Sequence, residues 1–151
     1  MTEPRWMQIA RAELGVKEKP GKDHEPRILA YHAETKLHAK DDETAWCSAF
    51  ANWVMKQCGI EGTNEANARS WLHWKHGERC DPKPGAIAVL WRGKPIGWQG
   101  HVAFIDHIEG DTLWLLGGNQ GNKVSIAAYG KARLLGCRWP KQGDREHGYH
   151  V

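Results

Sequence analysis

The hydrophobic pattern of this chain predicts an α+β fold, in which N-terminal helices pack on a C-terminal antiparallel β-sheet of about five strands. Three observations predict it. Apolar residues recur at helical spacing in the first half, short apolar runs bounded by turns follow in the second half, and a Pro/Gly-rich stretch at 81–85 separates the two. Helices that precede a meander of strands, instead of alternating with them, are typical of α+β proteins.

Four helices are expected in the first half, at 4–14, from Pro26 onward, at 44–58 and at 66–74. Pro4 and Gly15 favour the first, because Pro suits the first turn of a helix and Gly its C-terminal cap. Thr44 is the expected N-terminal cap of the third helix, which places Cys47 in its first turn. The apolar face that should anchor this helix in the core comprises Phe50, Trp53, Val54 and Cys58.

Five strands are expected in the second half, at 86–91, 101–108, 113–116, 124–129 and 134–138. Each is a short apolar run, and Gly, Pro, Asn or Asp residues separate it from the next. Glu109-Gly110-Asp111 forms a tight turn between the second and third strands. A loop rich in Gly, Pro and Trp at 92–100 leads into the second strand, so a residue at the start of that strand would lie beside an irregular segment.

The length of 151 residues is that of one domain. We expect a single domain at 1–140 and a polar, flexible C-terminal tail at 141–151, because the last residues contain Gly and His but no apolar run. The sequence shows no internal repeat and no low-complexity segment.

Charge and composition exclude several classes of function. The formal net charge of +3 suits an anionic surface such as a bacterial cell wall, but it is too small for a nucleic-acid-binding domain. No apolar run approaches the length of a membrane span, and the first residues lack the basic and apolar regions of a secretory signal. We therefore expect synthesis in the cytoplasm, no nucleic-acid or membrane partner, and release by other machinery.

The cysteines are Cys47, Cys58, Cys80 and Cys137, and no two of them form a CxxC pair. In a reducing cytoplasm most should be free, buried thiols, although a disulfide between two of the last three is left open. Cys47 differs from the others, because the N-terminus of a helix presents unpaired N–H groups and the positive end of the helix dipole. Such an environment lowers the pKa of a thiol and makes Cys47 a candidate nucleophile.

A thiol nucleophile needs a base, and His101 is the best candidate, because it begins a strand directly after a Gly-rich loop. His107 shares the strand but lies roughly 20 Å away at its far end. Asn119, at the end of the next strand, is the predicted residue that orients the imidazole, and Gln120 is the alternative. The oxyanion hole is expected at the backbone N–H of Cys47.

Two further assignments stay open at this stage. Glu43 lies in the acidic segment before Cys47 and is either structural or in contact with substrate. A zinc site is a weaker possibility, since the spacing of His73, His76 and Cys80 offers three ligands, but Gly77 interrupts the segment and no fourth ligand is near. No cofactor is therefore expected.

Four segments carry a resemblance to a known family: WCSAF at 46–50, PGAIAV at 84–89, GHVAF at 100–104 and LGGNQ at 116–120. They occur in the order found in papain-like peptidoglycan hydrolases. The chain most resembles the CHAP-type group (cysteine, histidine-dependent amidohydrolase/peptidase), which includes small phage and prophage enzymes, over roughly residues 5–140. The chain departs from the family pattern in two ways. Ala86 replaces an Asp, and Gly117 and Gly118 stand where a carboxylate is common.

The resemblance implies a papain-like fold in which Cys47 is the nucleophile, His101 the base and Asn119 the third polar residue. It also implies hydrolysis of an amide bond in the peptide part of peptidoglycan, by an N-acetylmuramoyl-L-alanine amidase or an endopeptidase. The protein would be a monomer acting on the wall in the periplasm, as a phage endolysin released through a holin or as a secreted antibacterial effector with an immunity protein. The residues expected to contact substrate are Trp46, Glu43, Trp98, Gln120 and Trp71.

Two alternatives remain. The same residues could serve a thiol protease or an acyltransferase. A non-catalytic module that binds the wall or its glycan is also possible, because Trp side chains can serve as sugar platforms. The residues considered for that role are Trp71, Trp74, Trp91 and Trp98.

Overall fold

The computed structural model describes residues 3–19, 24–35 and 46–141. The described helices are α1 (Arg5–Ala12), α2 (Pro26–His32) and α3 (Cys47–Gln57), with 3₁₀ helices at Ala68–His73 and Lys131–Arg133. The described strands are β1 (Gly77–Cys80), β2 (Ile87–Trp91), β3 (Gly100–Glu109), β4 (Thr112–Gly117), β5 (Ser125–Gly130) and β6 (Leu134–Pro140). The predicted tail lies, apart from Lys141, outside these residues.

All six strands belong to one antiparallel sheet in the order β1-β6-β2-β3-β4-β5. The predicted α+β fold is therefore confirmed, with one strand more than expected. Strand β1 has the polar sequence GERC and only partly buried or exposed side chains, so it carries no alternating apolar signal. It is an edge strand that pairs only with β6, and this position explains its polarity.

Two helices differ from their predicted form. The third begins at Cys47 with Trp46 as its N-cap residue, later than predicted, and the proposed cap Thr44 lies outside the described residues. The fourth is a 3₁₀ helix at Ala68–His73. No helix in the described part of the chain is long and apolar enough to cross a bilayer.

The two faces of the sheet bury two different cores. On one face α1, α2 and α3 pack on Val102 and Phe104 of β3. On the other face the buried side chains come from strands and the turn before β2, among the described residues, and include Ala103, Ile105 and Cys137. They are nearly inaccessible although no helix of the described residues covers them, so the sheet curls around them. Alternate residues of β3 thus point into different cores.

Ala86 belongs to the strand-lined core and is fully buried. At this position an Asp would be surrounded by apolar strand residues, and an unpaired carboxylate is costly there. The departure from the family pattern noted above is therefore an apolar substitution inside the sheet.

Gly118 lets the end of β4 approach α3 closely. A Cβ at this position would lie 2.7 Å from Cβ of Phe50 and 2.7 Å from ring carbons of Trp46. Both neighbours are buried, so neither can move away without disturbing the core. Gly118 is thus required by packing, which explains the absence of a larger side chain there.

We expect Gly118→Ala to lower the free energy of unfolding by about 1–3 kcal/mol, because the added methyl overpacks the contact between β4 and α3. Gly130→Ala is the matched control, since a Cβ there meets no atom within 4 Å. Urea unfolding of both variants checks this. Equal midpoints for the two variants would contradict it.

Candidate active site

Cys47 is the first residue of α3, at the edge of the helical core. The Phe50 N–H makes the first helical hydrogen bond, to the Trp46 carbonyl, at 2.9 Å. The N–H groups before Phe50 therefore have no acceptor within the helix. The residue Cys47 is buried, with 7% of its surface exposed.

Trp46 holds this helix start in place. Its side chain is fully buried, and its Nε1–H donates to Glu18 Oε2 at 2.8 Å. The expectation that Trp46 contacts substrate is therefore wrong, because a fully buried ring offers no surface to a ligand. Its role is to anchor the segment that presents Cys47.

His101 is the second residue of β3 and pairs with Leu90 of β2. It has the same strand parity as Ala103 and Ile105, so its side chain lies on the strand-lined side of the sheet. At the start of β3 the side chain of His101 meets that of Cys47, which comes from the helical side of the sheet. The two side chains share a hydrogen bond. The predicted nucleophile and base are thus in direct contact, with His101 only 6% exposed.

Gln120 orients the imidazole. Its Oε1 lies 2.8 Å from His101 Nε2, while its Nε2 donates to the Leu115 and Ser125 carbonyls at 3.0 and 2.7 Å. Because carbonyl oxygens only accept, these two bonds fix which end of the amide faces the ring. An acceptor therefore faces His101 Nε2, and Nε2 carries the proton. Nδ1 is left to face the sulfur.

Asn119 does not take this position. It lies in the turn after β4 with a φ of 60°, a conformation that Asn tolerates better than most residues. Among the described residues, no hydrogen bond links Asn119 to His101. Of the two amides considered from the sequence, the structure brings Gln120 to the imidazole.

Gly117 makes room for Gln120. A Cβ on Gly117 would lie 2.8 Å from Gln120 Oε1 and 2.7 Å from the Ala103 Cβ. The first glycine of the LGGNQ segment is thus required by packing, because any side chain there would displace the amide oxygen that holds His101.

The electrostatics favour a thiolate–imidazolium pair. Burial alone would raise the pKa of Cys47, but the charge and hydrogen bond of His101, with backbone hydrogen bonds from Val102 and Ser48, lower this pKa overall. Burial would likewise lower the pKa of His101, but the charge and hydrogen bond of Cys47 and the bond to Gln120 raise it overall. Each partner stabilises the charged form of the other.

A groove of about 990 Å³ has one lining residue, Glu65, that is hydrogen-bonded to the residue after Cys47. Ser48 Oγ donates to the Glu65 carbonyl at 2.7 Å, and Glu65 lines this groove. Trp98 lines it as well and is 75% exposed, so its expected contact with substrate stays a prediction. Neither Cys47 nor His101 lines the groove.

The other residues expected to contact substrate are placed differently. Trp71 is fully buried, and its Nε1–H donates to Ser48 Oγ at 2.9 Å, so the expectation of substrate contact is wrong for this residue. Trp74 is also buried, which removes two of the four sugar platforms considered for a binding module. Glu43 lies outside the described residues.

The zinc alternative finds no support in the described residues, which contain no group of three His, Cys, Asp or Glu side chains placed to hold a metal ion. His76 Nε2 instead lies 3.6 Å from Glu61 Oε1. Cys58, Cys80 and Cys137 are free thiols, as is Cys47.

Tyr129 of β5 is a neighbour of His101 that the sequence did not reveal. Its ring stacks on the imidazole with centroids 5.1 Å apart and an angle of 22° between planes, and its hydroxyl lies 3.2 Å from His101 Nε2. Strand β4 separates β3 from β5 in the sheet, so this contact depends on the curl of the sheet. No local pattern around Tyr129 could have indicated it.

We expect iodoacetamide to alkylate Cys47 with a midpoint below pH 8.5, the approximate pKa of an ordinary thiol, because a lowered pKa supplies thiolate at lower pH. Burial raises the pKa of Cys80, and it raises the pKa of Cys137 to about 12, so neither should compete. In His101→Ala no imidazolium opposes the effect of burial on the Cys47 pKa, so the alkylation midpoint should move to higher pH. Labelling followed by mass spectrometry measures both. Equal labelling of Cys47 and Cys80 at neutral pH would contradict the assignment.

Comparison with known proteins places this arrangement in a family. The family model of the CHAP domain matches residues 39–119, more than half of the chain. Karilysin of Tannerella forsythia is 28% identical over 119 residues, which cover 73% of this chain and 24% of that protein. The chain thus spans about a quarter of the length of this curated relative.

Two solved structures share the fold. The wild-type endolysin LysIME-EF1 superposes with a TM-score of 0.59 at 13% identity, covering 90% of this chain and 62% of that one. Ly7917 superposes with a TM-score of 0.54 at 16% identity, covering 91% and 62%. The match to the family model, with the shared fold, shows that the chain belongs to the CHAP domain family.

Proposed function

We propose that this protein hydrolyses an amide bond in the peptide part of peptidoglycan, with Cys47 as nucleophile and His101 as general acid and base. The observation that carries the proposal is the contact between the Cys47 thiol and an imidazole whose tautomer Gln120 fixes. Membership of the CHAP domain family supports thiol chemistry, and the neighbouring groove supports an extended substrate.

In the first half of the reaction, the Cys47 thiolate attacks the carbonyl carbon of the amide. The carbonyl oxygen becomes an oxyanion, which backbone N–H groups at the start of α3, that of Cys47 among them, stabilise. The His101 Nδ1–H then donates its proton to the leaving nitrogen, the C–N bond breaks, and the amine departs. The product is a thioester between Cys47 and the acyl part of the substrate.

In the second half, the neutral His101 accepts a proton from water at Nδ1, and the resulting hydroxide attacks the thioester carbonyl. The tetrahedral intermediate expels the Cys47 thiolate and releases a carboxylic acid. His101 is again an imidazolium and Cys47 again a thiolate. Throughout the cycle Nε2–H stays bonded to Gln120, so a single nitrogen performs both proton transfers.

Three features support peptidoglycan as the substrate class. One solved structure with the same fold is that of an endolysin, and the family resemblance points to wall hydrolases. The net charge of +3 suits an anionic wall. The exposed Trp98, which lines the groove, offers a stacking surface for sugar. An amidase and an endopeptidase would share this chemistry, and both would act at the wall after release through a holin or a secretion machine.

We expect the wild-type protein to release soluble peptide from purified sacculi, and Cys47→Ala to release none, because the variant lacks the thiol that contacts His101. Gly130→Ala is the control, since it alters an open surface position. Mass spectrometry of the products identifies the bond: new muramic-acid-linked ends indicate an amidase, and cut stems or crossbridges an endopeptidase. Equal release by the wild type and Cys47→Ala, or none by either, would refute the proposal.

A second expectation separates the two amides. Gln120→Ala should lower kcat/KM by roughly 100-fold, because the imidazole loses its orienting acceptor. Because Gln120 raises the pKa of His101, the alkaline limb of the pH–rate profile should also move to lower pH, where the imidazolium now loses its proton. Asn119→Gly is the matched control, since Gly accepts the positive φ at this position, and it should retain wild-type rates. A larger loss in Asn119→Gly than in Gln120→Ala would reverse the assignment.

A further inference from the structure

We propose that Tyr129 is a positioning residue for His101, which holds the imidazole against Cys47 by covering one face of the ring. The inference rests on the proposed thiol chemistry. Its evidence is the ring stack with centroids 5.1 Å apart and the hydroxyl 3.2 Å from Nε2. Stacking restricts rotation of the imidazole about its side-chain bonds, a freedom that the hydrogen bond to Gln120 alone does not remove.

The hydroxyl of Tyr129 acts as an acceptor at His101. Gln120 fixes the proton on Nε2, so the Tyr129 oxygen receives a share of that N–H and cannot donate to it. The imidazolium is thus held at Nε2 by two neutral oxygens. A neutral pair orients the ring without competing with the Cys47 thiolate as the charged partner of the imidazolium.

Tyr129 is not suited to be a base itself. Burial raises the pKa of its phenol, and the charge of Cys47 raises it further, although Arg133 and Arg92 oppose this. The phenol therefore stays protonated at neutral pH. Its effect on the reaction must pass through His101.

Arg133 holds Tyr129 in turn. Its guanidinium carbon lies 5.6 Å from the Tyr129 ring centroid and 5.8 Å from that of Trp91. Its Nε and Nη2 donate to the Trp91 carbonyl at 3.1 and 3.0 Å. This arginine, in the 3₁₀ helix between β5 and β6, thereby ties the end of β5 to the end of β2. The ring of Tyr129 is consequently fixed beside the start of β3.

Among the described residues, the charged and titratable groups that face His101 are Cys47 from α3, Arg92 after β2 and Tyr129 from β5. Arg133, before β6, faces the ring of Tyr129. Cys47 is the group among them whose charge stabilises the imidazolium. If the imidazole were displaced, it would therefore lose its stabilisation by the thiolate. The thiol would at the same time lose its stabilisation by the imidazolium.

The test uses the pH dependence of Cys47 alkylation by iodoacetamide, together with kcat and KM on sacculi. In Tyr129→Leu the stack and the hydroxyl are lost, so the alkylation midpoint should rise by about one pH unit. In the same variant kcat should fall roughly 10- to 100-fold with little change in KM. Tyr129→Phe keeps the stack and should restore the midpoint and most of kcat.

A matched control exists on the same strand. His107 of β3 stacks on Trp114 at 5.6 Å and 6°, and Trp114→Leu removes that stack at the opposite end of the strand. It should change neither the alkylation midpoint nor kcat. If Tyr129→Leu fails to fold, Arg133→Met removes the support of the ring and should shift the midpoint in the same direction.

The proposal is overturned if Tyr129→Leu folds and keeps the wild-type alkylation midpoint and kcat. It is also overturned if Trp114→Leu changes the midpoint and kcat as much as Tyr129→Leu does. It is also overturned if Tyr129→Phe loses as much as Tyr129→Leu, because the stack would then have no effect. Alkylation needs no substrate. A wild-type protein that is inactive on sacculi would therefore refute the proposed function, while the midpoints would still decide the role of Tyr129.

Discussion

The candidate active site depends on the orientation of one amide. Two backbone carbonyls, of Leu115 and Ser125, hold the donor end of Gln120, so its oxygen must face His101. That oxygen assigns the proton to Nε2 and leaves Nδ1 for the sulfur of Cys47. A rotation of the amide would present a donor to Nε2, place the proton on Nδ1 in the neutral ring, and remove the base from the thiol. The strand ends around Gln120 thus determine the chemistry of a residue on another element.

The fold brings these groups together at the start of β3, where the two cores meet. Cys47 belongs to the helical core and His101 lies on the strand-lined side, and the start of α3 contacts the start of β3 there. Gly117 and Gly118 make this approach possible, the first beside Gln120 and the second beside Trp46. Gly117 and Gly118 stand where the family pattern commonly has a carboxylate. In this chain they make close contacts instead, and the group that orients the imidazole is the neutral amide of Gln120.

Local sequence signals predicted the parts of the site that local structure determines. Cys47 and His101 were recognisable because a helix start and a strand start are visible in the hydrophobic pattern. The choice between Asn119 and Gln120 was not, since neighbouring residues in a turn point in directions that only the backbone path decides. Trp46 and Trp71 were misjudged because burial depends on packing and not on residue type. Strand β1 and the role of Tyr129 depend on pairing and curl across distant segments.

The central claim is that Cys47 and His101 stabilise each other as ions. The most direct measurement follows the ¹⁵N-labelled imidazole of His101 by NMR through a pH titration, in the wild type and in Cys47→Ala. The account predicts a His101 pKa above the ordinary value of about 6.5 in the wild type, and a lower pKa in the variant, where burial is no longer opposed by the thiolate. The same His101 pKa in both proteins would contradict it.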